Sequence, residues 1–435
     1  ECKPATSRSR LLRFNHPQQT MKLLRTIRDN WKKSIFFSGV AAYGVHYING
    51  KYKDRLVREE FCRKAEKYGE SPINTGERAR RITVFLNPAA RKGKGRDLFD
   101  KNVAPLFHLA GIEVTLVKTE YEGQAKRYME VLDQTDGIVV AGGDGTLLEV
   151  LTGLLRREDQ EKMSKLPIGV IPLGLTNTLA KKVFTKGESE VRWMANCAMA
   201  IIDGLYTKPV DVMKIVGNEG KDVYAVSGLE WGALRDAYNK KPKYWYFGGL
   251  KHRWVYLRSV FQEWPPTLHA KLDYTEACDG CSRCYHPPKP PPWRWWHIFM
   301  PPAPTKPEKD YSHIDNPACG VENHKQVAAM EFRVEANQLA QQKRKEHTMT
   351  INIGKEMLSK REFIKEGWQR EKGDVPSTDA ENLEVQQFKL IPELPEGRES
   401  WFTIDSEQYE AMPIDVTLLK KKLKIFYLPQ DDHPS

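Results

Sequence analysis

The sequence predicts an α/β N-terminal domain built on an open parallel sheet, followed by a mainly antiparallel β C-terminal domain. Three observations predict this. Short apolar runs at 82–86, 113–117, 137–141 and 168–171 alternate with helix-length segments near 96–110, 123–133 and 146–157. Such alternation builds a parallel sheet whose site lies at the strand C-termini. The rhythm fades after Tyr206, and β-branched and aromatic runs follow at 210–216, 223–227, 269–274, 332–336, 349–353, 415–419 and 423–428, the pattern of antiparallel strands. The third observation is A-G-G-D-G-T at Ala141, Gly142, Gly143, Asp144, Gly145 and Thr146, where the third run ends and a helical pattern begins.

The elements in order divide the chain as follows. Residues 1–20 read as upstream sequence and Met21 as a natural start. In 21–50, Lys22, Arg25, Arg28, Lys32 and Lys33 precede the seventeen uncharged residues 34–50. As a helix these seventeen would reach about 25 Å, short of the roughly 30 Å hydrocarbon core. A membrane anchor, an uncleaved targeting segment and a helix packed on the body all fit; a basic flank beside a short apolar stretch favours attachment to an anionic leaflet. Residues 51–80 are charged with a helical pattern and read as a linker, 81–207 as the nucleotide-binding α/β domain, 208–430 as the β-rich domain and 431–435 as a tail.

An insertion at 275–320 interrupts the second domain. It carries Cys278, Cys281 and Cys284 near His286, a proline run at 287–292, and Trp293, Arg294, Trp295 and Trp296, with Cys319 far along the chain. The cysteine array invites a zinc site, but the usual second pair at matching spacing is missing, so an irregular surface insertion stands beside that reading. The tryptophans suit either a bilayer interface or a satellite apolar cluster.

The chain has 435 residues, 40% hydrophobic and 10% aromatic, enough for two or three packed domains. A net charge of +11 implies an anionic partner. No finger, helix-turn-helix or RNA-binding signature is present, which argues against nucleic acid and leaves an anionic membrane surface or a phosphorylated substrate. Seven irregularly spaced cysteines do not make a secreted disulfide framework.

The chemistry centres on the glycine-rich corner. Three glycines around an acid let the backbone turn and approach a phosphate, and the following helix adds unpaired N–H groups. Asp144 would repel a bare phosphate, so its place there implies a bridging Mg²⁺. Asn87 and Pro88 close the first strand and lead into the basic turn Arg91, Lys92, Gly93, Lys94, Gly95. Pro172, Leu173 and Gly174 close the fourth, with Thr176 and Asn177 opening a helix; Asn177 would cap it or touch nucleotide. Thr403, Ile404, Asp405, Ser406 and Glu407 bring two carboxylates, which would share a face and hold Mg²⁺ or take a proton if the segment were extended; a solvated turn is the equal alternative.

Together, Asn87-Pro88, G-G-D-G-T at 142–146 and P-L-G at 172–174 resemble the diacylglycerol and sphingosine kinase superfamily. N-P-A-A-R-K-G-K-G at 87–95, Y-E-G-Q-A-K at 121–126, K-Y-W-Y-F-G at 243–248 and I-D-S-E-Q-Y-E-A-M-P at 404–413 resemble its mitochondrial acylglycerol kinase branch. The resemblance covers about 21–428 outside the insertion. It implies a two-lobe lipid kinase that uses ATP and Mg²⁺ to phosphorylate monoacylglycerol or diacylglycerol, giving lysophosphatidic or phosphatidic acid. It also implies attachment to the mitochondrial inner membrane on its intermembrane-space side, with carrier-import translocase subunits as partners.

Carried over residue by residue, Asn87, Thr119, Gly142, Gly143, Asp144, Glu149 and Gly174 match nucleotide-site positions, and Pro88, Gly145, Thr146, Asn177 and Asp405 complete the candidate set. Asp144 is the candidate metal ligand. Asp405 and Glu407 match the late acidic signature, in which Ser406 replaces a glycine, and Leu175 stands where a threonine is common. Glu407 is the first candidate base. Asp236 is the second, from Trp231-Gly232-x-x-x-Asp236, with a salt bridge to Arg235 or Lys240 as its structural alternative. An NAD kinase or phosphofructokinase relative would share G-G-D-G, but the later Asn-rich signature of NAD kinases is absent. A membrane scaffold with a vestigial kinase site is the reading of another class.

Overall fold

The computed structural model describes residues 29–70, 76, 78–184, 187, 189–218, 220, 222–261, 264, 267–278, 280–284, 310–336, 347–372, 380–394 and 399–429. The chain forms two units, Glu1–Glu60 and Phe61–Ser435. Helix α1, Trp31–Gly69, starts in the first and ends in the second. In the first unit it exposes Ile35, Phe36, Phe37, Tyr43, Val45 and Ile48, each more than 60% exposed. No described helix is long and apolar enough to cross a membrane. Lys22, Arg25 and Arg28 of the basic flank lie outside the described residues.

In the second unit, β1 (Arg81–Leu86), β2 (Glu113–Lys118), β3 (Gly137–Gly142) and β4 (Pro167–Pro172) form a parallel sheet in the order β2-β1-β3-β4. All four expected strands are present within a residue or two. The expected helix over 96–110 is two, α2 (Gly95–Asn102) and α3 (Ala104–Leu109), because Pro105 opens the second; proline is at home in a first turn and breaks an interior. Helices α4 (Gln124–Val131) and α5 (Asp144–Leu155) follow β2 and β3. Helices α6 (Thr178–Val183) and α7 (Glu190–Asp203) follow β4. Ser189 Oγ caps α7 by accepting from Arg192 N at 3.2 Å.

The remaining strands are β5 (Thr207–Gly217), β6 (Val223–Ala225), β7 (Gly228–Gly232), β8 (Leu268–Glu276), β9 (Glu322–Ala329), β10 (Glu331–Ala336), β11 (Met349–Ile353), β12 (Glu381–Pro392), β13 (Trp401–Ile404), β14 (Glu407–Glu410) and β15 (Ile414–Phe426). They pair antiparallel with one another around a core that includes Trp231, Phe332, Phe388 and Phe402. The runs 415–419 and 423–428, expected as two strands, are the single strand β15, irregular between Leu419 and Leu423 where Lys421 has φ 52°. Buried Asp211 holds that irregularity by accepting from Lys421 N at 2.7 Å. Past it, Lys424 and Ile425 pair in parallel with Pro167 and Ile168 of β4. One late strand therefore joins the antiparallel strands to the parallel sheet.

Candidate functional site

The glycine-rich corner forms as expected, for a different physical reason. None of Gly142, Gly143 and Gly145 has a left-handed φ, so the glycines are there for close approach. A Cβ on Gly145 would stand 2.6 Å from Glu407 Oε1, and one on Gly143 would stand 3.2 Å from Gly174 Cα. At Gly143 a Cβ would push two backbone segments apart, and at Gly145 it would displace the carboxylate end of Glu407. The backbone of the β3–α5 corner thus lies directly against the loop after β4 and the acid from β14.

Neighbouring strand ends complete the wall. Asn87 Nδ2 donates to Thr146 Oγ1 at 3.1 Å, and Asn87 Oδ1 accepts from Ala89 N. Thr119 is buried at the end of β2 with its hydroxyl towards Leu86 O. After Asn87-Pro88, Arg91, Lys92 and Gly93 take consecutive left-handed conformations, with φ 54°, 60° and 81°. Two adjacent non-glycine residues in that region are uncommon and mark a constrained loop. Asn177 stands at the N-cap position of α6, but its side chain makes no capping bond there. It is buried and clasps Gly174, accepting from its N at 3.1 Å and donating to its O at 2.8 Å.

The expectation that Asp405 and Glu407 share one face of an extended segment is corrected. Asp405 and Ser406 have φ 44° and 74° and form the tight turn of the β13–β14 hairpin. Their positive φ values fit the right-handed twist of a two-residue hairpin, so Ser406 keeps the glycine-like backbone. The carboxylates consequently diverge. Asp405 is buried and accepts from the N–H groups of Val226, Ser227 and Gly228 at 2.8–2.9 Å. Those bonds position the hairpin so that Glu407 reaches the corner.

Two cavities meet there. A polar one of about 450 Å³ is lined by Asn87, Arg91, Lys92, Thr119, Glu120, Gly143, Asp144, Gly145, Thr146, Gly174 and Thr176. An apolar one of about 350 Å³ is lined by Leu148, Ile215, Val223, Phe402, Ile404, Met412 and Ile414. Glu122, Glu149 and Glu407 line both. Burial, reinforced by the charges of Glu149 and Glu122, pushes Glu407 up to about 7. Tyr409 Oη donates to its Oε2 at 3.3 Å. Burial also raises Glu149 and Asp144 above the ordinary carboxylate range.

Asp144 opens α5, and its two oxygens accept from Thr178 N at 2.8 Å and Thr178 Oγ1 at 2.9 Å. The Thr176 side chain is a third hydrogen-bond partner, and a carboxylate that accepts three bonds keeps acceptor capacity for a further one. A nearly buried carboxylate beside a phosphate-sized polar cavity is the hard oxygen donor that Mg²⁺ takes singly, its other positions filled by water and substrate phosphate, so Asp144 fits that ion as a single protein ligand.

The structure thus gathers Asn87, Thr119, Gly143, Asp144, Gly145, Thr146, Glu149, Gly174 and Glu407 around one cavity. Pro88, Gly142 and Asn177 stand behind it, while Asp405 lines a separate small pocket with Asp144 and Ser406. Asp236, in helix α8 (Ala233–Asn239), lines neither large cavity. Sequence reasoning missed Glu122, Thr178 and Tyr409 as site residues; Glu122 at least stood inside the Y-E-G-Q-A-K motif. His286 and Trp293, Arg294, Trp295 and Trp296 lie outside the described residues.

Comparison with known proteins places nearly the whole chain in one family. Residues 81–215 match the diacylglycerol kinase catalytic domain, and 226–433 match the acylglycerol kinase C-terminal family. The chain is 40% identical to the mitochondrial acylglycerol kinase of Xenopus laevis, over 94% of this chain and 96% of that protein. It is 38% identical to the human protein of the same name, over 93% and 96%. A crystal structure of a diacylglycerol kinase from Bacillus anthracis has the same fold, with TM-score 0.50 and 18% identity, covering 81% of this chain and 99% of that one.

Proposed function

The chain belongs to the acylglycerol kinase family of lipid kinases, and from that premise we propose that it transfers the γ-phosphoryl group of ATP to monoacylglycerol and diacylglycerol, giving lysophosphatidic and phosphatidic acid. The observation that carries this reading is the shared wall. A polar cavity faced by a glycine-rich corner and an apolar cavity meet at Glu407. Residues 81–207 would supply the nucleotide side and 208–430 most of the lipid side.

The N–H groups around Gly143, Gly145 and Thr146, at the positive end of α5, hold the triphosphate, aided by Arg91 and Lys92. Asp144 would hold Mg²⁺, which supplies charge neutralisation on the phosphates. The acyl chain lies against Leu148, Ile215, Phe402 and Ile414, leaving its hydroxyl at Glu407. As the hydroxyl oxygen bonds to the γ-phosphorus and the bond to the ADP oxygen breaks, Glu407 accepts the hydroxyl proton and later returns it to water. A base with pKa near 7 suits that task. Asp236, away from both cavities, is the weaker candidate.

The exposed apolar side chains of α1 in 31–50, with the net positive charge, support attachment to an anionic membrane surface. The names of the Xenopus and human relatives support a mitochondrial address. Placement on the intermembrane-space side of the inner membrane, and carrier-import translocase subunits as partners, are proposed from the family resemblance. The test is direct. Purified protein with Mg·ATP and diacylglycerol in mixed micelles should yield phosphatidic acid, and Asp144→Asn should abolish that yield while membrane attachment persists. No phosphorylated lipid from either acceptor would leave the scaffold reading instead.

A further inference from the structure

Strand β8 ends at Glu276 and β9, its antiparallel partner, begins at Glu322. The chain between them leaves and returns to one place on the sheet. Four cysteines stand at that junction, Cys278, Cys281 and Cys284 on the outgoing side and Cys319 on the returning side. Cys319, distant in sequence, is brought to the other three. Cys281 Sγ lies 3.6 Å from Cys284 Sγ, which lies 3.9 Å from Cys278 Sγ. All four sulfurs lie within 4.8 Å of one another.

These spacings are informative. A disulfide brings two sulfurs to about 2.05 Å, so none of these is bonded to another. Four thiolates at about 2.3 Å around a tetrahedral ion have S–S edges of about 3.8 Å. We propose that Cys278, Cys281, Cys284 and Cys319 bind one structural Zn²⁺ that closes the base of the 277–321 excursion.

The surroundings are built for it. Cys281 N donates to Cys284 Sγ at 3.3 Å, and Asn316 Nδ2 donates to Cys278 Sγ at 3.3 Å. Donors aimed at sulfur stabilise thiolates and orient them as ligands. Ser282 N donates to Ile314 O at 2.8 Å and Arg283 Nη1 to Pro317 O at 3.2 Å, tying the outgoing turn to the returning one. Cys281 is fully buried while Cys284 is exposed, so the cluster has a closed inner side and a path for the ion. Four thiolates leave no open coordination position, which assigns a structural role, and soft sulfur ligands in a tetrahedron select Zn²⁺ over Mg²⁺ or Ca²⁺. None of the four lines either cavity of the kinase site.

The experiment uses the full chain, purified without a histidine tag or chelator. Elemental analysis should find about one zinc per chain and negligible iron, and modification of the thiols with an organomercurial should release it stoichiometrically. Cys278→Ser and Cys319→Ser should each lose at least 80% of the zinc, while Cys62→Ser and Cys197→Ser keep it. Should the serine variants fail to fold, Co²⁺ loaded into the reduced, metal-stripped wild type should give the charge-transfer and d–d absorption of a tetrathiolate site. A reduced wild-type chain that takes up neither Zn²⁺ nor Co²⁺ would overturn the assignment. So would bound iron in place of zinc, a disulfide between any two of the four in peptide mass spectra, or zinc retained by both variants.

Discussion

The polar and apolar cavities share three glutamates yet are built by opposite means. The polar cavity is made of backbone, in that its wall is the β3–α5 corner, the loop after β4 and the basic turn after β1, drawn together where a Cβ would clash. The apolar cavity is made of side chains contributed one or two at a time by α5, β5, β6, β13 and the start of β15. A backbone-built site needs glycines in fixed order and leaves a short motif. A side-chain pocket needs only apolar residues of suitable size and leaves none.

The sharpest way to break this comparison is at the shared wall. Glu407→Gln should lower kcat by about 10²–10⁴-fold with little change in KM for ATP or lipid, measured by radiolabelled phosphate transfer. An equal loss confined to the KM values would place Glu407 in binding alone. Next in size is Gly145→Ala. Its methyl group would meet Glu407 Oε1 at 2.6 Å, and a misplacement of roughly 1 Å costs about 10²-fold in kcat. Circular dichroism should remain that of the wild type, and full activity would show that the close approach is not needed.

Val223→Trp sharpens the contrast from the apolar side. Filling that cavity should raise the KM for long-chain diacylglycerol about tenfold or more, leaving the KM for ATP unchanged. Smallest is a pH effect. Glu407 must be ionised to accept a proton, so activity should rise as pH climbs through about 7 and fall below it. Glu149→Gln removes a neighbouring negative charge, so the acidic limb of the kcat/KM profile should move to lower pH, by about one unit or less. A limb that stays in place, or moves up, would contradict the assignment of Glu407.

What the sequence disclosed follows the same division. The four parallel strands and the glycine corner with Asn87 and Asp144 were legible in local periodicity and short motifs, Glu407 was one of two carboxylates in a late acidic segment, and Thr119 and Glu149 were named only through the family resemblance. The positive φ values of Asp405 and Ser406 were only half legible, since a turn was one of two readings for that segment and a serine in place of the family's glycine hid which one held. The capping bond expected of Asn177 does not form because its amide folds back on Gly174, a choice settled by the adjoining loop. Strand β9 is polar until Val327, the alternation of Leu383 and Val385 with Phe388 and Leu390 in β12 is broken by a register shift between Val385 and Gln387, and a separation of 35 residues in sequence hid the meeting of Cys319 with Cys284.

The account rests on the two cavities meeting at one acid, and a crystal structure with a non-hydrolysable ATP analogue, Mg²⁺ and a diacylglycerol analogue tests it most directly. The polyphosphate should lie against Gly143, Gly145 and Thr146, with the lipid hydroxyl in hydrogen-bonding reach of Glu407 and its chain beside Phe402 and Ile414. Nucleotide bound away from the glycine corner, or a lipid hydroxyl remote from Glu407, would contradict it.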